Sequence, residues 1–96
     1  MKISLGCDEA AYELKEAIKK RLQETGHEVI DNGVGEGEVE LYPDVAVRTC
    51  EKVTDGTCDR GILVCGTGIG MAMTANKVPG IRAAVCHDPF STERSI

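Results

Sequence analysis

The residues best equipped for chemistry lie in one short stretch. Cys65 ends the apolar run Gly61-Ile62-Leu63-Val64-Cys65, and Gly66-Thr67-Gly68-Ile69-Gly70 follows directly. The glycines leave successive backbone N–H groups uncovered, and a helix is expected behind them. Such a loop suits an anion, either a phosphate or an oxyanion that develops during reaction. A cysteine facing a helix start is stabilised as its thiolate, which can act as nucleophile or general base. Thr67, two residues on, places a hydroxyl beside any oxygen held in the loop. Each feature also has a plainer reading: glycines required by a tight turn, a buried strand-end cysteine, and a threonine that caps a helix. The loop matches neither common nucleotide fingerprint. The third glycine of G-x-G-x-x-G would fall at Met71, and the Gly-Lys-Ser/Thr ending of a P-loop is absent.

Two more groups stand at expected strand ends, Cys7-Asp8-Glu9 and Cys86-His87-Asp88. Asp8 can cap the helix that follows, bind a substrate hydroxyl, or do both. Glu9 points elsewhere from Asp8, so the two acids do not automatically share a proton. The five cysteines (Cys7, Cys50, Cys58, Cys65, Cys86) include no C-x-x-C pair, and His27 and His87 lie far apart. No zinc site, redox motif or disulfide framework is therefore expected. Cys50, Cys58 and Cys86 read as small buried hydrophobes. His27 reads as a surface residue.

The elements that must position these groups alternate. Lys2 to Gly6 reads as a strand. Ala10 to Thr25 reads as a helix with Ala10, Leu14, Ala17/Ile18 and Leu22 on its inner side, Asp8 near its start and Gly26 at its stop. His27 to Asp31 is a second strand, followed by a glycine-bearing acidic loop to Glu40. Pro43 suits the first turn of a second helix, whose inner side carries Ala46, Cys50 and Val53, and which ends at Asp55-Gly56. Gly61 to Cys65 has no polar alternation, the mark of a strand covered on both faces of a parallel sheet. A helix from about Met71 to Lys77 is stopped by Pro79-Gly80, Arg82 to Cys86 reads as a fourth strand, and Pro89 opens a last helix. Four β-α units of this kind predict a single α/β domain over residues 1–96, a Rossmann-like doubly wound parallel sheet in three α/β/α layers. In such a sheet ligands sit at the carboxyl ends of the strands, where the three groups fall.

Composition narrows the partners. The chain has 96 residues, 42 % apolar, and a net charge of −5. Nucleic acid and anionic membrane surfaces need a basic face and are not expected partners. The apolar fraction is too high for a disordered chain. No run approaches the roughly 18 apolar residues of a membrane span, and the N-terminus turns polar at Gly6 to Glu9, too early for a secretion signal. A soluble, cytoplasmic protein is the expectation.

Three blocks of the sequence resemble the type B ribose-5-phosphate isomerases and their relatives, the galactose-6-phosphate isomerase subunits. Gly6-Cys7-Asp8-Glu9-Ala10-Ala11-Tyr12-Glu13-Leu14-Lys15 is similar to the family's Gly-Ser/Cys-Asp-His-Ala-Gly-Phe-x-Leu-Lys. Tyr42-Pro43-Asp44 is similar to its Asp-Tyr-Pro-Asp/His segment. The third and most specific block runs from Gly61 to Met71 and on through Ala75-Asn76-Lys77-Val78-Pro79-Gly80-Ile81-Arg82-Ala83.

The resemblance implies aldose–ketose isomerisation of a sugar phosphate with no metal and no organic cofactor. It implies Cys65 as the base that moves a proton between C1 and C2, and Thr67 as its assistant at the sugar oxygens. The amides of Gly66, Gly68, Ile69 and Gly70 are implied to hold the enediolate, and Asp8, Glu9, Tyr42 and Asn76 to bind substrate or shape its site. It also implies a homodimer or homotetramer with active sites between subunits. The chain departs from the family in having Glu9 where a histidine follows the aspartate. It also ends at Ser95-Ile96, before the family's C-terminal strand and helix, so a C-terminally incomplete domain is expected. Those differences point to a substrate that needs no ring opening, such as a tetrose phosphate of the erythrulose 4-phosphate type. Two other readings stay open: a phosphocysteine carrier, and an isomerase-like subunit that needs a homologous partner.

Overall fold

The computed structural model describes all residues from Met1 to Ile96. Three parallel strands form the sheet: β1 (Lys2–Cys7), β2 (Glu28–Asp31) and β3 (Arg60–Val64), in the order β2-β1-β3. Helix α1 (Tyr12–Glu24) connects β1 to β2, and α2 (Tyr42–Thr54) connects β2 to β3. The chain steps from β1 to one side and then crosses to the other. Right-handed crossovers in opposite directions place α1 and α2 on opposite faces. A short helix α3 (Ile69–Ala75) follows β3, and α4 (Pro89–Arg94) ends the chain. This is the expected Rossmann-like, three-layer, doubly wound arrangement, and its point of reversal lies where β1 and β3 run side by side.

Alternation along β1 shows how each layer is fixed. Ile3, Leu5 and Cys7 are all buried, and Leu5 and Cys7 join Ala11, Val34, Val45, Ala46, Val64 and Met71 in the main core. Ser4 and Gly6 turn toward α2, where the Ser4 hydroxyl donates to the Thr49 carbonyl at 2.8 Å. A Cβ on Gly6 would lie 2.2 Å from Thr49 Oγ1, so only glycine lets α2 approach β1 this closely. The β1–β3 register pairs Cys7 with Val64, and the Asp8 N–H continues the ladder to the Val64 carbonyl at 3.2 Å. Asp8 and Cys65 are thereby carried out of adjacent strand ends.

Several expectations need correction. The first helix begins with a 3-10 turn at Glu9–Ala11, and its inner face carries Ala11, Lys15 and Ile18, whereas Ala10, Leu14 and Ala17 are exposed. A buried lysine is tolerable there because Lys15 Nζ donates to Asp31 Oδ2 and Glu16 Oε1, both at 2.7 Å. That pairing keeps the charge satisfied and lets the whole stripe rotate inward. Helix α3 starts at Ile69 rather than Met71 and ends at Ala75. Residues 82–86 make no strand. The Asn76 side chain takes both ladder groups of Ala83, accepting from its N–H and donating to its carbonyl, each at 2.9 Å. That segment therefore makes no bonds to β3. Cys86, expected inside, is exposed, while Cys50 and Cys58 are buried.

Candidate active site

A cavity of about 310 Å³ opens at the carboxyl end of β3, lined by Tyr42, Cys65, Gly66, Thr67 and Gly70. Its floor is the turn from β3 into α3. Gly68, at φ 79°, provides the left-handed residue that turns the chain into the helix. The Gly68 N–H points back at Cys65 Sγ, 3.0 Å away. The Ile69 N–H donates to Thr67 Oγ1 at 3.2 Å, which leaves the hydroxyl proton of Thr67 free to serve a bound oxygen. The N–H groups of Gly66, Thr67 and Gly70 have no hydrogen-bond partner within the chain. A half-exposed sulfur thus shares one cavity with a hydroxyl and several uncommitted amide donors.

Tyr42 forms the wall. It is the first residue of α2, and its ring edge lies so close to Gly70 that a Cβ there would stand 2.8 Å from Cε1 and Cζ. Gly70 is required for that contact. Nothing in the sequence links the two positions, which are 28 residues apart.

The remaining candidates do not line this cavity. Asp8 Oδ1 caps the 3-10 turn by accepting from the Ala11 N–H at 3.0 Å, and its backbone sits beside the β3 end. Glu9 is exposed and borders a second hollow with Tyr12, Glu13 and Glu36, away from the sulfur. Asn76 spends its amide on Ala83 and on the Ala72 carbonyl, so its part is to fix the segment after α3. That segment brings Val85 to about 3.4 Å of where a Gly68 Cβ would be. Ile69 is 57 % exposed at the rim. His87 is exposed, with Nδ1 3.2 Å from Asp88.

The other thiols differ from Cys65 in surroundings. Burial pushes the Cys7, Cys50 and Cys58 thiols above the usual cysteine range, the nearby Lys15 only partly offsetting this at Cys7. A buried, neutral thiol is a packing group. Cys7 also presents no surface for a phosphoryl group, which removes the first-strand cysteine of a phosphocysteine carrier.

Chemically, the cavity joins a thiol to a hydroxyl and uncommitted amide donors. That pairing suits removal of a proton from a carbon next to a carbonyl. Comparison with known proteins gives this chemistry a family. The profile described as Ribose/Galactose Isomerase matches residues 3–96, and the chain belongs to that family. It is 54 % identical over 95 residues to a ribose-5-P isomerase B of Listeria innocua, covering 99 % of this chain and 64 % of the relative. It is 49 % identical over 96 residues to a D-erythrulose-4-phosphate isomerase of Pectobacterium atrosepticum, covering 99 % of this chain and 63 % of that one. The solved structure of Clostridium thermocellum ribose-5-phosphate isomerase B superposes with a TM-score of 0.95 at 48 % identity, over 99 % of this chain and 64 % of the other. The chain thus spans a little under two thirds of the length of these relatives.

Proposed function

We propose that this chain catalyses, or forms the catalytic part of an enzyme for, the aldose–ketose isomerisation of a four- or five-carbon sugar phosphate. The observation that carries the reading is the placement of Cys65 Sγ, with the Gly68 N–H at 3.0 Å, in the same cavity as the uncommitted amides of Gly66, Thr67 and Gly70. In this reading Cys65 takes the proton from the carbon beside the carbonyl and returns it to the neighbouring carbon. The loop amides hold the enediolate oxygens, and Thr67 exchanges a hydrogen bond with them. Tyr42 walls the site, Asp8 caps the turn at the adjacent strand end, and Asn76 holds the following segment in place. The names of the relatives in Listeria and Pectobacterium support both a pentose and a tetrose phosphate. The five free thiols agree with a reducing, cytoplasmic setting.

The test is turnover of ribose 5-phosphate against erythrose 4-phosphate by the purified chain. Conversion of either to its ketose supports the reading, and a higher kcat/KM for one names the substrate. Binding of both without conversion of either would refute it. We further infer that a second copy of the chain covers the cavity mouth. Support comes from the exposed apolar residues on the flanking elements, Leu41 (73 %), Ile69 (57 %) and Met73 (67 %). Sedimentation equilibrium should find a dimer or tetramer, and a monomer at all concentrations would exclude it.

A further inference from the structure

We propose that Arg48, which does not touch the Cys65 cavity, is the positioning residue that holds Tyr42 in it, an inference that rests on reading that cavity as the substrate site. Helix α2 starts without a cap of its own. Its N-cap is Leu41, which offers no side-chain hydrogen bond, and the preceding residues Glu36 to Val39 are exposed. Burial of Val45 and Ala46 seats the helix on the core, and the segment just ahead of Tyr42 needs a contact of its own, because Tyr42 has to meet Gly70 where there is no room for a single added carbon.

Arg48 makes that contact. From the second turn of α2 its guanidinium reaches the Asn32 carbonyl through Nε at 3.1 Å and Nη2 at 2.6 Å. The same group pairs with Glu40, through Nη2 to Oε1 at 3.2 Å and through Nη1 to Oε2. Asn32 is itself locked to the sheet. Its N–H donates to the Leu5 carbonyl at 2.7 Å, and its side chain donates to Ser4 Oγ at 2.8 Å. A continuous chain of hydrogen bonds therefore runs from β1 through Asn32 and Arg48 to Glu40, two residues before Tyr42. A guanidinium can serve two acceptors in one plane, which an ammonium cannot do with the same geometry.

The test reads Tyr42 directly and activity separately. The ring current of Tyr42 shifts the proton signals of Gly70 in the NMR spectrum of the intact chain, and Tyr42→Leu defines those signals without it. Arg48→Ala should move the Gly70 signals most of the way to the Tyr42→Leu positions. Arg48→Lys and Glu40→Gln should move them partway, and they keep the question decidable if Arg48→Ala does not fold. In kinetics, Arg48→Ala should raise KM roughly tenfold while changing kcat much less, the pattern of a displaced binding wall. A role in stability alone would lower the melting temperature and leave both readouts at wild-type values. Gly70 signals that stay at their wild-type positions in every folded variant overturn the inference, as does an unchanged KM with Tyr42 displaced. If the wild-type chain isomerises no sugar phosphate, the proposed function fails, and the Gly70 signals still decide whether Arg48 places Tyr42.

Discussion

Cys7 and Cys65 occupy matching ends of neighbouring strands, yet one is packing and the other faces a cavity. In the β1–β3 register Cys7 lies opposite Val64, one residue before Cys65. Cys7 is fully buried, and a Cβ on Gly33 would fall 2.9 Å from its N–H. Around it the β1/β2 end is fastened by charged side chains: Lys15 joins Asp31, and Asp31 also accepts from the Gly33 N–H at 3.0 Å. The β3 end has no such fastening. In its loop the amides of Gly66, Thr67 and Gly70 stay open, and the only bond to its sulfur comes from the Gly68 N–H. The comparison teaches that residue type at a strand end says little about reactivity. What decides is whether the following turn closes over the side chain or leaves it facing unpaired donors.

The sharpest way to break this comparison is to unfasten the closed end. Lys15 is 2 % exposed, and replacing it by alanine strands Asp31 without its main partner. Lys15→Ala should lower stability by about 3–5 kcal/mol in urea unfolding. A loss below about 1 kcal/mol would mean the pair contributes no more than a surface ion pair does. The same pair sets a pH window. Burial opposes the Asp31 charge, but the hydrogen bonds from Lys15, the Gly33 N–H and Lys19, with the Lys15 charge, together outweigh it and hold the carboxyl below its ordinary 3.8. That contribution is present above pH 3.8 and is lost as pH falls through the lower folded value. Burial would likewise depress the Lys15 ammonium, but its bonds to Asp31 and Glu16 raise it above 10.5, so its contribution is complete below that pH and fades above it. A melting-temperature profile of wild type should be flat between pH 4.5, below which the Glu16 and Glu40 contributions also fade, and pH 9.0, above which the unfolded chain's cysteines ionise while the buried Cys7, Cys50 and Cys58 thiols resist. The Lys15→Ala profile should show a smaller acid-side fall, since Asp31 keeps only Gly33 and Lys19.

A smaller effect is expected from overfilling the sheet–helix contact. Gly6→Ala forces α2 away from β1 at Thr49 and should cost about 1–3 kcal/mol, measured by the same unfolding. At the sulfur itself, Cys7→Ser buries a hydroxyl in the space of a thiol and should cost about 1–3 kcal/mol with no change in turnover. The smallest perturbation is chemical labelling. Iodoacetamide on the native chain should modify Cys65 and the exposed Cys86 and leave Cys7, Cys50 and Cys58 untouched, read by peptide mass mapping. Labelling of Cys7 at the rate of Cys65 would erase the distinction.

Much of this arrangement was legible in the residues. The unbroken apolar run at Gly61 to Cys65 announces a parallel strand, although β3 lies at the sheet edge with only Val64 buried, and the glycines after it announce an open turn. Lys15 carries no sequence signal for burial, because a charged residue in an amphipathic pattern reads as outward. The stripe Ala11, Lys15, Ile18, Leu22 has the same helical spacing as the one expected, and only Asp31 across the gap tells them apart. The apolar content of Arg82 to Cys86 suggests a strand, but a ladder needs a partner edge, and Asn76 takes that role with its side chain. The Tyr42–Gly70 contact and the Arg48 bridge join residues distant in sequence, and no periodicity encodes them.

We propose Cys65 as the group that moves the proton, and Cys65→Ala tests that role most directly. Turnover of the better of ribose 5-phosphate and erythrose 4-phosphate should fall by about 10²–10⁴, with the unfolding midpoint close to wild type. A Cys65→Ala chain that turns over the substrate at the wild-type rate would contradict the account.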